Sequence, residues 1–324
     1  MKISVILCSY NRSQSLSLAL ESIAASVMPA SDDWCVLIID NNSQDQTHAA
    51  ADSFCRRDPA HFRYIFESRQ GKSNALNRGI RDAEGDILVF VDDDVTVEPD
   101  WLCNLTRPFA DPQLAGVGGR IYLPKNFTAP VWLKLDGTES LGGVLALFDL
   151  GPAPIPLTIA PVGTNMAFRR NIFAKYGDFR TDLGPQPGSE IRYEDTEFGG
   201  RLLKAGEKLL YVPSAIVHHA VAEPRLKQDY YLKYFFNYGR ALIRERQERP
   251  AIAFIPRPLI GLCNRLFNLL PTKLWYWWKQ SDPGKRFFYK CLTYAMLGEI
   301  AEMAHSLFSP GTAQRALQPQ TGKH

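Results

Sequence analysis

"ILVFVDDDVTVEPDWL", Ile87 to Leu102, runs five apolar residues straight into three consecutive aspartates, Asp92, Asp93 and Asp94. A short continuous apolar run bounded by charge is the pattern of a strand buried on both faces, as in parallel sheets. Nothing within the run neutralises the three carboxylates, and two readings are open. Alternate positions, Asp92 and Asp94, would aim two carboxylates at one crevice. That is an oxygen-rich site for Mg²⁺ or Mn²⁺, with the remaining ligands drawn from water and substrate phosphate. The other reading is a solvated acidic turn, with Pro99 opening a helix behind it.

Upstream the same kind of run recurs as "ISVILC" (3–8), "WCVLIID" (34–40) and "FRYIF" (62–66), with the quoted strand at 86–91. Helix-compatible spacing fills residues 14–27, 47–57 and 73–84, and Ser13 is placed to cap the first. Strand–helix alternation implies right-handed βαβ units and an α/β, Rossmann-like doubly wound, mostly parallel sheet. Ligands of such sheets bind at the carboxyl ends of the strands. Those ends carry "SYNR", "DNNSQDQT", "SRQGKSN" and "DDD". Asp40 sits where an acid could bond a ribose or base, or merely make an Asx turn, while Asp45 reads as the cap of the helix from Thr47. Gly71 suits close approach, Lys72 supplies a charge for phosphate, and Asn74 and Asn77 lie on the next helix turn; the bland reading is a glycine turn and a helix start.

Farther along, residues 161–179 read as strand, turn and helix. Residues 193–219 read as a loop, an amphipathic helix ended by Gly206, and a strand. Glu194 and Asp195 open that helix, where a carboxylate could take a proton from an attacking hydroxyl or simply suit the helix dipole. His218 and His219 are candidate metal ligands through a neutral imidazole.

The chain has 324 residues, 45% hydrophobic and 22% charged, a globular composition that excludes disordered and fibrous classes. Its net charge of +3 conceals an asymmetry: residues 1–224 hold 21 Lys/Arg against 28 Asp/Glu, and residues 225–324 hold 16 against 6. The basic tail is also rich in Trp, Phe, Leu and Ile, which favours an anionic membrane surface over nucleic acid. Its most apolar stretch, 251–279, is interrupted by Pro256, Arg257, Pro258, Arg265, Pro271 and Lys273, and the next carries Glu299 and Glu302. With Trp275, Tyr276, Trp277 and Trp278 between Lys273 and Lys279, the tail is expected to lie on a membrane and not to span it. Six cysteines without C-x-x-C spacing read as reduced thiols. The first residues lack the apolar length of a signal peptide, so a cytoplasmic location is expected.

The ordered set "VILCSYNR", "IIDNNSQDQT", "GKSNALNRGI", "VFVDDDV", "GTNMAFRR", "YEDTEFGGRLLKAG" and "VPSAIVHH" resembles the family 2 glycosyltransferases of the nucleotide-diphospho-sugar transferase (GT-A) fold, over about residues 1–222. The resemblance implies transfer of a sugar, with inversion, from a nucleotide-diphosphate donor of UDP or GDP type to a hydroxyl. It further implies that Ser9, Tyr10, Asn11, Asp40 and Asn42 hold the nucleotide, Lys72 the diphosphate side, and Asp92, Asp93 and Asp94 the donor and a divalent cation. Asp195 matches the general base, with Glu194 supporting. His218 matches the metal-side histidine better than His219. Domains are expected at 1–222 (donor half 1–110, acceptor half 111–222) and 223–324, a helical membrane-associating extension. The expected acceptor is a lipid-linked saccharide or other saccharide of cell-envelope or exopolysaccharide synthesis. The Q-x-x-R-W motif of processive synthases is absent, which favours one or few transfers. Two rivals are a sugar-1-phosphate nucleotidyltransferase, which should show a glycine-rich loop where "CSYNRSQS" stands, and a catalytically idle nucleotide-sugar-binding scaffold.

Overall fold

A computed structural model describes residues 1–27, 33–247 and 257–308, apart from the side chains of 247, 257–260 and 308. The chain divides into two compact units, one of residues 1–128, 142–189 and 193–222, the other of 129–141, 190–192 and 223–324.

The first unit is built on β1 (Lys2–Ser9), α1 (Ser13–Ala24), β2 (Asp33–Asp40), α2 (Thr47–Arg57), β3 (Phe62–Phe66), α3 (Lys72–Asp82) and β4 (Ile87–Asp92). These elements fall where the apolar runs predict them, within one or two residues for the strands. After them come β5 (Val95–Val97), α4 (Trp101–Thr106), β6 (Leu114–Tyr122), β7 (Ile155–Pro156), β8 (Asn165–Arg169), α5 (Arg170–Tyr176), α6 (Glu194–Lys204) and β9 (Lys208–His219). One sheet takes the order β3-β2-β1-β4-β8-β6-β9-β5, with β7 on β9. The β1–β2, β1–β4, β2–β3 and β6–β9 ladders are parallel, and β8 runs antiparallel between β4 and β6. The chain leaves β1 for β2 on one side and returns to β4 on the other. The carboxyl ends of β1 and β4 therefore flank the crevice at the switch point, where such sheets bind ligands.

The interior of β1 is buried on both faces, as the continuous apolar run requires. Phe90, Phe168, Phe173, Phe179 and Phe198 interlock ring on ring, tying β4 and β8 to α5 and α6. Glycines let β6 approach its neighbours: a Cβ at Gly116 would sit 2.4 Å from the Phe168 ring. Two local expectations shift. Ser13 does not cap α1 with its side chain; its N–H donates to Asp45 Oδ2 at 3.0 Å, and Asp45 Oδ1 accepts the Thr47 N–H at 2.9 Å, so one carboxylate starts two helices. Behind the aspartates the chain forms β5, and the helix starts only at Trp101, after Pro99.

The second unit contains α7 (Gln228–Gln247), α8 (Arg257–Asn264), a π-helical turn at 265–269, α9 (Leu270–Lys279) and α10 (Pro283–Phe308). Helices α7 and α10 run side by side in the same direction, Tyr231 meeting Phe287 near their starts and Arg244 meeting Glu302 near their ends. They pack closely, since added Cβ atoms at Gly239 and Gly298 would each lie 1.9 Å from a carbonyl oxygen of the other helix. Glu302 takes Arg240 and Arg244 at 2.8 and 2.7 Å, and Glu299 takes Arg265 at 2.6 Å, so both acids are paired within the unit. Among the described residues no helix is long and apolar enough to cross a membrane. Residues 251–256, including Pro256, lie outside the described residues.

Candidate active site

The loops after β1 and β2 zip together. Asn11 N–H donates to Ser43 Oγ (2.9 Å), Asn11 Oδ1 accepts the Gln44 N–H (2.7 Å), and Arg12 N–H reaches Thr47 Oγ1 (3.3 Å). Asn11 and Asn42 take φ of 52° and 63°, a left-handed backbone that asparagine tolerates better than most residues. Tyr10 is 47% exposed, and its hydroxyl accepts from Gln70 Nε2 at 3.1 Å. Asp40 is buried and braces the turn after β2: Oδ1 accepts the Ser43 N–H, three residues on, at 2.9 Å and Oδ2 the Tyr64 hydroxyl at 2.9 Å. The carboxylate thus anchors its own loop, and any further contact would use its remaining lone pairs.

Asn41 organises the third loop, a role with no sequence signal beyond its place after β2. Its amide donates to the carbonyls of Glu67 (3.3 Å) and Arg69 (2.8 Å), and its Oδ1 accepts the Gly71 N–H (2.7 Å). Gly71 has φ 132°, which a side chain would strain. Lys72, next in line, points its ammonium at Asp92 Oδ1 (2.8 Å) and Glu194 Oε1 (3.9 Å). Of the helix asparagines, Asn77 is spent on structure, clasping the Phe179 backbone at 2.8 and 3.0 Å, and Asn74 bonds the Gln70 carbonyl.

The three aspartates form the turn from β4 to β5; Asp92 faces Lys72, while Asp93 and Asp94 share Arg12. Asp92 Oδ2 accepts from Thr164 Oγ1 at 2.9 Å opposite Lys72. Asp93 Oδ2 accepts from Ser9 Oγ at 2.6 Å, and its Oδ1 lies 3.1 Å from Arg12 Nη1. Asp94 holds the same Nη1 at 2.7 Å through Oδ2, while its Oδ1 is 3.5 Å from His219 Nε2. Asp92, Asp94 and His218 do not converge. His218 turns away, with Nε2 2.7 Å from Glu98 and its ring beside Tyr122. The pleat decides this. Along β9, paired antiparallel to β5 as Val95↔His219 and Thr96↔His218, adjacent side chains take opposite faces, and His219 has the aspartate face.

Burial and charge oppose each other here. Burial disfavours the Lys72 ammonium, yet Asp92 and Glu194 outweigh it and hold its pKa above the ordinary value. Burial would raise Asp92, but the Lys72 charge, with hydrogen bonds from Lys72 and Thr164, keeps it below the usual range. Glu194 receives less help: burial, with the Asp195 charge adding to it against Lys72, pushes it up to about 7. Burial likewise pushes Asp93 up to about 6 against Arg12. Asp195 is half-buried, its Oδ2 accepting the Gly163 N–H (2.7 Å) and its Oδ1 the Thr196 N–H (2.6 Å). Through Lys72, the "ED" carboxylates at the start of α6 and the strand-end aspartates share one crevice.

Asp94 and His219 offer a carboxylate oxygen and an imidazole nitrogen on facing side chains, a donor pair that suits Mn²⁺. Among the described residues no three His, Cys, Asp or Glu side chains gather as a metal cage. An ion there would draw most of its ligands from water and substrate oxygens.

The model of glycosyl transferase family 2 matches residues 4–177, and the chain belongs to that family: it is a glycosyltransferase. It is 26% identical over 244 residues to the glucosyl-dolichyl phosphate glucuronosyltransferase of Haloferax volcanii, spanning 71% of this chain and 72% of that protein. It is 28% identical over 241 residues to the succinoglycan biosynthesis protein ExoM of Rhizobium meliloti, spanning 74% of each. Among solved structures it is similar to the mannosyltransferase PcManGT from Pyrobaculum calidifontis in complex with GDP-Man and Mn²⁺, with TM-score 0.60 and 19% identity over 92% of this chain and 86% of that one. That likeness is one of fold, and the fold is GT-A.

Proposed function

We propose that the chain transfers a sugar, with inversion and with the help of Mn²⁺ or Mg²⁺, from a nucleotide-diphosphate donor of UDP or GDP type to a hydroxyl of a lipid-linked or saccharide acceptor. The observation that carries this reading is Lys72, 2.8 Å from Asp92 and 3.9 Å from Glu194, which joins a donor-side acid cluster to an acceptor-side carboxylate pair in one crevice. Ser9, Tyr10, Asn11, Asp40 and Asn42, on the loops after β1 and β2, bind the nucleotide. Asp94 and His219 hold the cation, with Asp92 and Asp93 beside them, and His219 replaces the His218 expected from sequence. When bound, the cation neutralises the charge of the leaving nucleoside diphosphate. Lys72 adds a fixed positive charge on that side. Asp195 takes the proton from the acceptor hydroxyl on the opposite face, and Glu194 supports it. Calorimetric titration with a UDP- or GDP-sugar tests the donor site: affinity should fall in EDTA and in Asp94→Ala, and equal affinity in all three conditions would sink the cation role.

Residues 1–222 are the catalytic domain in this reading, with a donor half to 110 and an acceptor half beyond. Residues 223–324 hold the protein at the cytoplasmic face of the inner membrane, where cell-envelope or exopolysaccharide glycans are built. The named relatives, one for a dolichyl-phosphate-linked sugar and one for succinoglycan, favour such an acceptor. The surface of the second unit supports the membrane part. Phe267, Trp275 and Trp278 are 75%, 52% and 77% exposed, and Lys279 lies 4.0 Å over the Trp275 ring. Exposed aromatics among lysines suit an anionic lipid interface, where each nearby base adds roughly 1 kcal/mol. Full-length protein should float with anionic liposomes at low salt and less at high salt, and Phe267→Ser with Trp278→Ser should weaken flotation; a wild-type protein left in the soluble fraction would refute the anchor.

A further inference from the structure

We propose that Arg12 is the protein's own counter-cation for Asp94. It competes with the divalent cation for that carboxylate and is released toward the donor diphosphate, so that cation and nucleotide bind together and not in turn. The proposal rests on the donor-site reading above. Arg12 closes the "SYNR" loop, and its backbone is fixed: its N–H is held by Thr47 Oγ1 at 3.3 Å and its carbonyl accepts the Leu16 N–H at 2.9 Å in the first turn of α1. Its side chain is 42% exposed and touches the acids end-on, a single Nη1 lying 3.1 Å from Asp93 and 2.7 Å from Asp94. A guanidinium carries five N–H donors in a planar fork, and the paired-donor mode that makes arginine–carboxylate contacts strong is not used here.

The same Asp94 carboxylate faces His219 through its other oxygen. A dication placed between Asp94 and His219 would repel a guanidinium on the adjacent oxygen, so each weakens the other's hold. Asp93, the second partner of Arg12, keeps the Ser9 hydroxyl at 2.6 Å and is not left bare by the exchange. A freed guanidinium on the loop that carries Ser9, Tyr10 and Asn11 has the fork that matches phosphate oxygens. Two protein ligands are few for a cation, and a resident positive charge makes them fewer in effect. The arriving diphosphate resolves both deficits at once, bringing oxygens for the ion and an anion for Arg12.

The test is binding of Mn²⁺, followed by electron paramagnetic resonance of the free ion, first alone and then with GDP or UDP. Arg12→Met should bind Mn²⁺ alone about tenfold more tightly than wild type, and the enhancement of Mn²⁺ binding by the nucleotide should shrink by a similar factor. Arg12→Lys, which keeps the charge, should stay near wild type in the absence of nucleotide and covers the case in which the methionine variant fails to fold. A folded Arg12→Met that binds Mn²⁺ no more tightly than wild type overturns the proposal, as does an Arg12→Lys that behaves as if uncharged. Asp94→Asn separates the two levels: if it binds Mn²⁺ like wild type, the cation site itself is misplaced and this proposal falls with it.

Discussion

Asp195→Asn is expected to bind the donor nucleotide as wild type does while turnover falls by roughly 10²–10⁴-fold, the usual worth of a general base. The carboxylate is held from two sides, by the Gly163 N–H at 2.7 Å and the Thr196 N–H at 2.6 Å, which fixes its direction without covering it. Gly163 is close enough that a Cβ there would lie 2.9 Å from Asp195 Oδ2. Asparagine keeps the shape and one of the two acceptors, so the loop should persist, but the amide cannot take a proton from the acceptor. Donor affinity by calorimetry and single-turnover rates read the two effects apart. Should Asp195→Asn turn over almost normally while Glu194→Gln does not, the base is the other member of the pair.

The parallel half of the sheet was legible because its strands are buried on both faces, so each is an unbroken apolar run such as Ile87–Val91 with polar loop residues behind it. The second half was not. Strand β6 reads "LAGVGGRIY", whose three glycines look like a turn, yet their missing side chains are what lets Phe168 and Asn165 pack against it. Strand β5 is three residues long and hidden behind the acids. The site residues divide in the same way. Strand-end acids and Lys72 announce themselves by charge at a place where the fold binds ligands. Arg12 and Asn41 do not, since each acts through a partner more than 25 residues away that only the docked loops supply. The choice between His218 and His219 depends on pleat parity, and parity is set by the register with β5, a strand that was not foreseen.

Lys72→Met should cost up to about 3 kcal/mol of stability at neutral pH, the lower end of the scale on which one partner is removed from a buried ion pair, because Lys72 and Asp92 keep 29% and 22% of their side-chain surface exposed. Lys72 is the cation shared by Glu194, a buried carboxylate at 3.9 Å, and Asp92, a part-buried one at 2.8 Å. The pH dependence carries the diagnosis. In wild type, Asp92 is held below its ordinary value, so its stabilising contribution is present above that value and lost on acidification. Glu194 runs the other way: pushed up to about 7, it binds a proton more readily folded than unfolded, so stability falls as pH rises from the ordinary carboxyl value of 4.5 through 7. Without Lys72, both carboxylates face burial with no cation, and both then favour the protonated form. The deficit of Lys72→Met should therefore be smallest near pH 5 and grow until both acids are ionised, as read by thermal melts across that range. Adding Glu194→Gln to Lys72→Met should recover part of the loss and flatten the profile, because one of the two stranded charges is gone. A Lys72→Met deficit that is the same at pH 5 and pH 8 would mean that the lysine stabilises by packing its alkyl stem, and that the bridge between the two halves of the crevice is not electrostatic.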